Sequence, residues 1–378
     1  MMTGVWLISA AAGLACSWMV CPPNSRGGKA AWAALAIGFL ATGALLTLEH
    51  RAVLVIALPI VILSAPLAVI RRHRASAELQ EGRAARRRIN VAVLGTLLYL
   101  LGVNVATLNE RANWAGPVLW IGALLAAGVL PFHRSGTETL RAASTEIRTP
   151  VALLLGPAVW MSLARWCPPQ VSSAGAIALP LLTLWLGAFL VLARGDIPRF
   201  TAALVLFATG QVAVAASFDA TSALSVTAAL TPPLLLATLL LSKLERLADT
   251  RDFSELGGLT RRLPRFSIAL LAAGFWLMGT AALPHVRTLI QLGLSGGVLT
   301  SPWSAFVEIW PVFVPHILAA WGWSLLIRDL LVGPARMPMY PDILRDRVDV
   351  PPAEKPLEDL TSRELAAIVG FAIIAFVV

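Results

Sequence analysis

The chain has 378 residues, of which 57% are hydrophobic and only 13% are charged, whereas soluble domains carry about 25% charged residues. This composition excludes a soluble globular enzyme and indicates a protein of the lipid bilayer. The formal net charge of +9 would suit nucleic-acid binding, but the basic residues lie in short loops between apolar segments, which is the pattern that sets membrane topology. We therefore predict contact with the bilayer and no nucleic-acid partner.

Long continuous apolar segments predict the transmembrane elements. A helix needs roughly 20 apolar residues to cross the hydrocarbon core, and continuous rather than alternating hydrophobicity favours helices over a β-barrel. The sequence therefore predicts an all-α polytopic membrane protein with about twelve transmembrane helices. In chain order the predicted spans are 3–20, 29–48, 52–70, 90–107, 116–133, 149–165, 175–193, 199–216, 221–242, 266–284, 306–327 and 364–378.

The distribution of arginine and lysine predicts the orientation of these spans. Basic residues concentrate in every second loop, and the strongest run lies at 71–88, between the third and fourth spans. By the positive-inside rule the basic loops are cytoplasmic and the N-terminus lies outside. We predict a multi-pass protein of the inner (cytoplasmic) membrane.

A short repeated sequence pattern suggests that the chain has two related halves. Leu130-Pro131-Phe132-His133-Arg134 ends the fifth span and Leu283-Pro284-His285-Val286-Arg287 ends the tenth, on the opposite side. Inverted repeats would produce this arrangement, and chance or common helix-end chemistry would explain so short an echo equally well. The predicted regions are N-terminal transmembrane helices over 1–48, a first half over 49–193, a second half over 194–330, a cytoplasmic Pro-rich segment over 331–363 and a terminal transmembrane helix over 364–378.

Ionisable groups at membrane depth are few, and they are the candidates for a proton or ion path, because such groups are costly in the bilayer. The candidates are His133, Arg287, Glu308 and His316. Pro311 lies between Glu308 and His316, and a kink there could bring the two together. In the alternative interpretation, Glu308 lies among lipid headgroups, His316 is a hydrogen-bonded structural residue and His133 is a helix-end residue at the interface.

Motifs for cofactors and metals are absent from the sequence. Cys16, Cys21 and Cys167 form no Cys-x-x-Cys pair, and Gly257-Gly258 lacks the strand–turn–helix context of a nucleotide-binding loop. We predict no catalytic residue, no metal and no cofactor in this chain.

Several segments, in order, resemble the antiporter-like subunits of complex I (NADH–quinone oxidoreductase chains of the L, M and N type) and their Mrp cation/proton antiporter relatives. The resemblance covers roughly residues 50–365 and implies an inverted-repeat bundle with broken helices, in which the matching residues are structural. The segments are Leu130-Pro131-Phe132-His133, Thr149-Pro150-Val151, Asp196-Ile197-Pro198-Arg199, Thr250-Arg251-Asp252-Phe253 with Leu256-Gly257-Gly258-Leu259, and Asp359-Leu360 with Arg363-Glu364.

The departures from this family concern the charged and titratable residues that carry protons in its members. The family's glutamate in the third span falls on Leu58-Pro59, and its lysine before the Pro-Phe-His segment falls on Ala126. Its histidine after the Asp-Ile-Lys-Arg step falls near Ala208, and Arg287 is the only charge at its second broken helix. We expect no counterpart in this sequence of two N-terminal helices of the family or of its long C-terminal lateral helix.

The resemblance and its departures together imply a non-catalytic subunit that packs beside other membrane subunits of a complex-I-like or Mrp-like assembly, and that is structural rather than pumping. One alternative is an active proton or cation transporter subunit with a rebuilt path. Another is a membrane anchor for a redox or inorganic-carbon-handling enzyme, which would dock on loops 71–89 and 328–362.

Overall fold

The computed structural model describes residues 2–24, 26–74, 79–108, 114–166, 177–218, 220–295, 302–333 and 359–377. It gives only the backbone at 2, 26, 73–74, 79–82, 218, 220, 280–295, 302–309 and 376–377. The described residues form helices and no strand longer than an isolated bridge. The helices are α1 (Met2–Val20), α2 (Arg26–Thr47), α3 (Arg51–Arg74), α4 (Leu79–Leu108), α5 (Ala115–Ala127), α6 (His133–Ala142), α7 (Arg148–Leu155), α8 (Pro157–Arg165), α9 (Ala178–Ala193), α10 (Ile197–Phe218), α11 (Ala220–Ala248), α12 (Leu259–Arg262), α13 (Pro264–Ser295), α14 (Pro302–Ile327) and α15 (Ser362–Val377).

The all-α membrane fold predicted from the sequence is confirmed. In the described part of the chain, seven helices are long and apolar enough to cross a bilayer: α1 to α4, α10, α11 and α14. Three further apolar segments are shorter: α5, α9 and Pro264–Gly279 of α13. The two remaining predicted spans correspond to the α7–α8 pair and to α15. Every predicted span thus coincides with a helix or with a pair of short helices.

The fifth predicted span is broken, as the resemblance implies. α5 ends at Ala127, and the next residue, Gly128, has a left-handed φ of 70°. α6 begins at His133 after a short segment that contains Pro131. The sixth span is also broken, at Gly156, and Pro157 starts α8 at a position where its missing N–H costs nothing. This second break was not predicted.

The tenth predicted span does not end at Leu283–Arg287, where the repeated sequence pattern predicts its end. The backbone of α13 continues through Pro284 to Ser295 without a break. A proline removes one hydrogen bond of its helix, and transmembrane helices tolerate this loss when their surroundings satisfy the freed carbonyl. The prediction that Leu283-Pro284-His285-Val286-Arg287 ends a helix is therefore wrong.

The centre of the bundle is formed by α10 and α11. In the most apolar 18-residue stretch of each helix, 94% of the residues of α10 and 78% of those of α11 are buried. The corresponding share is 33% to 56% in the other long helices. Close packing elsewhere depends on small residues, as is usual between transmembrane helices. A Cβ at Gly102 of α4, for example, would lie 2.6 Å from the Cβ of Leu119 in α5.

Residues of all six predicted basic loops, or of the helix ends beside them, meet at one end of the bundle, which we call the basic end. The indole of Trp32 donates to the carbonyl of Glu146 (3.0 Å), and the carboxylate of Glu146 lies 3.7 Å from Arg72. Ion pairs also join Arg87 to Glu138, Arg194 to Asp329 and Lys243 to Glu364. At the opposite end, Arg165 pairs with Glu49 (2.8 Å).

Candidate functional site

The break between α5 and α6 is capped by a buried arginine from another helix. The side chain of Arg88, in α4, is fully buried. Its Nη1 donates to the carbonyl of Leu125 (3.0 Å) and its Nη2 donates to the carbonyl of Ala126. These carbonyls belong to the last turn of α5, where the helix dipole favours a cation. The carbonyl of Leu125 also accepts a hydrogen bond from the N–H of Gly128 (3.2 Å). Arg88 therefore stabilises the end of the first half-helix.

Sequence analysis missed this role, because it counted Arg88 among the topology-setting arginines of the loop at 71–88. The sequence alone does not separate Arg88 from the neighbouring arginines. The resemblance places a family lysine at Ala126, and the structure places a cation from α4 on the carbonyl oxygen of that same residue.

A second buried charge group joins α7 to α11. The side chain of Arg148, the first residue of α7, is 0% exposed, and that of Glu245, near the end of α11, is 8% exposed. Their guanidinium and carboxylate groups are hydrogen-bonded, and Arg148 also donates to the carbonyl of Ala143 (3.1 Å). Arg251 completes the group, with its Nε 3.2 Å from Glu245 Oε1. Such a pair stabilises helix geometry only while both partners remain, because either charge alone would be buried without compensation.

The resemblance motifs at Asp196 and Asp252 lie against each other. The two residues form an isolated antiparallel bridge, and the N–H of Ile197 donates to the carbonyl of Arg251 (2.8 Å). Asp196 accepts a hydrogen bond from the N–H of Arg199 (2.7 Å) and so caps the N-terminus of α10. Asp252 caps the following short turn in the same way, through the N–H of Ser254 (2.9 Å).

The other residues implied by the resemblance also lie at chain reversals or helix starts. Gly258 has a left-handed φ of 65° immediately before α12, and Gly257 beside it is buried. Pro150 lies in the first turn of α7, where a proline needs no intrahelical N–H partner, and Pro131 lies in the break between α5 and α6. These positions are compatible with structural roles, which remain predictions.

His133, a predicted path residue, is half-buried at the start of α6. Its Nδ1 is buried and has no hydrogen-bond partner among the described residues. It lines a cavity of about 20 Å³ together with Gly128, Leu155 and Thr209. A volume of this size holds about one water molecule. The site can hydrate an imidazole, but the described lining of the cavity contains no second ionisable group.

His316 is buried in α14 and is held by its own helix and by an aromatic neighbour. Its Nδ1 lies 2.7 Å from the carbonyl of Val312, and its ring packs edge-on against Phe207 with 5.2 Å between centroids. Among the described residues, His316 does not line the cavity that contains His133. The side chains of Arg287 and Glu308 lie outside the described residues, so the geometry of those two candidates stays a prediction.

The two central helices contain almost no chemistry for carrying a proton. In α10 and α11 the buried hydroxyls of Thr201, Ser217, Thr227 and Ser242 donate to carbonyls of their own helix. Gln211 is the exception, because it is fully buried and neither amide atom has a partner among the described residues. Over the described residues of these helices, the buried charged side chain is Glu245, which is paired at the basic end.

The chain has an all-α polytopic membrane fold with broken helices, a buried central pair and a bridge between two loops. It is the fold of a polytopic helical subunit of a complex I-like membrane assembly, which confirms the predicted resemblance at the level of the fold. The predicted relationship to Mrp antiporters in particular stays a prediction.

Two solved structures illustrate this class. The whole chain aligns with 79% of a chain in respiratory complex I from Thermus thermophilus with bound NADH, with a TM-score of 0.70 and 16% identity. The whole chain also aligns with 62% of a chain in the membrane-bound sulfane sulfur reductase, an archaeal respiratory membrane complex, with a TM-score of 0.64 and 12% identity. It thus spans less than two thirds of that chain's length. No protein-family model and no curated protein matches the sequence.

Proposed function

We propose that the chain is an antiporter-like membrane subunit of a complex-I-like assembly, in which it packs beside other membrane subunits and does not itself carry protons across the bilayer. The fold supports the first part of this proposal, since both structural neighbours are named as parts of respiratory complexes. The second part depends on the chemistry of the bundle interior.

The observation that carries the non-pumping role is the state of the buried charges. Arg88 is bonded to helix-end carbonyls, and Arg148 and Glu245 are bonded to each other. A proton relay needs groups that change protonation state and exchange partners, whereas these groups are fixed by complementary neighbours. The centre of α10 and α11 offers hydroxyls already bonded to their own helix, so a continuous relay through the described interior lacks titratable steps.

Membership of an assembly is tested by purification. The tagged chain is extracted from its native membrane in a gentle detergent, and co-purifying proteins are identified by mass spectrometry. We expect other antiporter-like membrane subunits together with a soluble module. Recovery of the chain alone, or only as a homo-oligomer, would contradict a role as a subunit.

The non-pumping role is tested separately on the isolated chain in proteoliposomes. A potassium gradient with valinomycin sets a membrane potential, and an internal pH dye reports proton entry. We expect the same slow acidification as in protein-free vesicles. Acidification well above that background would favour a conducting subunit.

A second candidate function is an active transporter with a rebuilt path. It is favoured by the unpartnered buried atoms of His133 and Gln211, which are polar groups that water could join. A membrane anchor remains the third proposal, with its docking surface on loops 71–89 and 328–362, much of which lies outside the described residues. The purification experiment distinguishes the anchor by the identity of the soluble module.

A further inference from the structure

A groove rich in arginine opens at the basic end between α4 and α6. Its volume is about 520 Å³, and we call it the arginine groove. The charged residues that line it are Arg83, Arg87, Arg134, Arg141 and Arg251, with Glu138 and Asp196. Five guanidinium groups therefore face two carboxylates.

The arginines of the groove are only partly neutralised by these carboxylates. Glu138 is shared by Arg134 (2.6 Å) and Arg87 (3.9 Å), while Arg251 is engaged by Glu245 outside the groove. Arg83 and Arg141 are exposed and form no ion pair with any described residue. Among the described residues, the groove therefore presents at least two cations without an ion-pair partner, and their planar donor groups match a phosphate.

The two arginines that α4 contributes to the groove continue an apolar stripe on the same helix face. Arg83, Arg87, Leu94, Leu97 and Leu101 recur at the spacing of one helix face, with Asn90 between the arginines and the leucines. All of these side chains are exposed on the surface of the bundle, and the leucines are 48% to 60% exposed. Because a helix rises 1.5 Å per residue, Leu94 lies only about 10 Å along the helix from Arg87.

We propose that the arginine groove binds the phosphate headgroup of an anionic phospholipid, and that the acyl chains of this lipid lie along Leu94, Leu97 and Leu101. Basic pockets between transmembrane helices on the cytoplasmic side bind such headgroups. An acidic segment of a protein would use the cations equally well, but it would gain nothing from the leucine stripe directly below them. The combination of cations and lipid-depth leucines on one face favours the lipid, independently of whether the chain conducts protons.

The experiment compares the purified full chain in nanodiscs of phosphatidylcholine alone and of phosphatidylcholine mixed with phosphatidylglycerol. Native mass spectrometry counts retained lipids and thermal melting measures the stabilisation. The test variant is R83Q/R141Q. The matched control is R71Q/R86Q, which removes two exposed arginines of the same basic end that do not line the groove.

We expect phosphatidylglycerol to be retained by, and to stabilise, the wild type and the control. In R83Q/R141Q its association is expected to weaken about 30-fold, because each basic residue at an anionic surface contributes a factor of about five. The melting temperatures of both variants in phosphatidylcholine alone show whether each is folded. If R83Q/R141Q does not fold, R141Q alone is tested, with an expected weakening of about fivefold.

Two outcomes would overturn the proposal. Equal losses of phosphatidylglycerol binding in the test and control variants would mean that binding depends only on the net charge of the chain. No retention by the wild type would mean that the groove does not select an anionic lipid.

Discussion

The basic end and the centre of the bundle use polar residues in opposite ways. At the basic end, Arg88, Arg148 and Glu245 are buried with partners that fix their charges. In the centre, α10 and α11 bury hydroxyls that bond to their own helices and a single amide, that of Gln211, without a partner among the described residues. The difference teaches that charge in this chain serves to hold helix ends together, while the interior is close to a plain apolar core.

The largest effect is expected where the buried ion pair is broken. Glu245→Ala leaves the fully buried guanidinium of Arg148 without its carboxylate, and removal of one partner from a buried pair costs about 3–5 kcal/mol. We expect a corresponding loss in the free energy of unfolding, measured by denaturation in mild detergent. Glu138→Gln is the control, because its partners Arg87 and Arg134 are mostly exposed and such pairs contribute about 1 kcal/mol or less. A loss no larger than that of the control would contradict this account of the basic end.

The next effect concerns the cap of the broken helix. Arg88→Met removes its hydrogen bonds to the carbonyls of Leu125 and Ala126, and Leu125 keeps only the bond from the N–H of Gly128. We expect a loss of about 3 kcal/mol, since hydrogen bonds to charged groups contribute about 1.5–3 kcal/mol each and the two are not independent. Arg88→Lys should recover part of this loss. Arg86→Met, at an exposed neighbouring position, should lie within about 0.5 kcal/mol of the wild type, and equal effects of the two methionine variants would refute the cap.

A smaller effect of opposite sign is expected in the centre. Gln211→Leu replaces a fully buried amide that has no described partner by an apolar side chain of similar size. Because a buried polar group without a partner costs about 1–3 kcal/mol, we expect unchanged or higher stability. A marked loss of stability in thermal melting would show instead that Gln211 holds a structural water or another group.

The smallest effect concerns the N-terminal cap of α10. Asp196→Ala removes the cap of α10, for which a cost of about 1 kcal/mol is typical. Asp196→Asn keeps a side-chain acceptor and should retain most of the stability. If both variants lost the same amount, the charge of Asp196, and thus its pair with Arg199 at 3.2 Å, would be the stabilising feature.

Hydropathy and turn residues were sufficient to predict much of this fold. The helices α1 to α4, α10, α11 and α14 lie where long apolar segments predict them, because a bilayer imposes both their length and their composition. The break at Pro131 followed from the resemblance. The break at Gly156 was missed although Gly-Pro is a common break signal, because the apolar segment around it continues without interruption.

The candidate site was less predictable, because its contacts join distant parts of the chain. Arg148 and Glu245 are 97 positions apart, and nothing in one sequence indicates that they pair. Arg88 ends a run of arginines, and only the packing of α4 against α5 distinguishes it from its exposed neighbours Arg86 and Arg87. His316 was a candidate for proton handling; its described contacts include Val312 and Phe207, and its role stays a prediction.

The central proposal is that this chain is a subunit that does not carry protons. Its most direct test is the proton-to-electron ratio of the intact purified assembly in proteoliposomes. Electron transfer is initiated with the assembly's own donor, and proton uptake is counted with a pH dye. The variants are His133→Asn, Arg287→Met, Glu308→Gln and His316→Asn, each assembled to wild-type levels. We predict the wild-type ratio in every variant, whereas a ratio lowered by any one of them would contradict the claim and identify that residue as part of a conducting path.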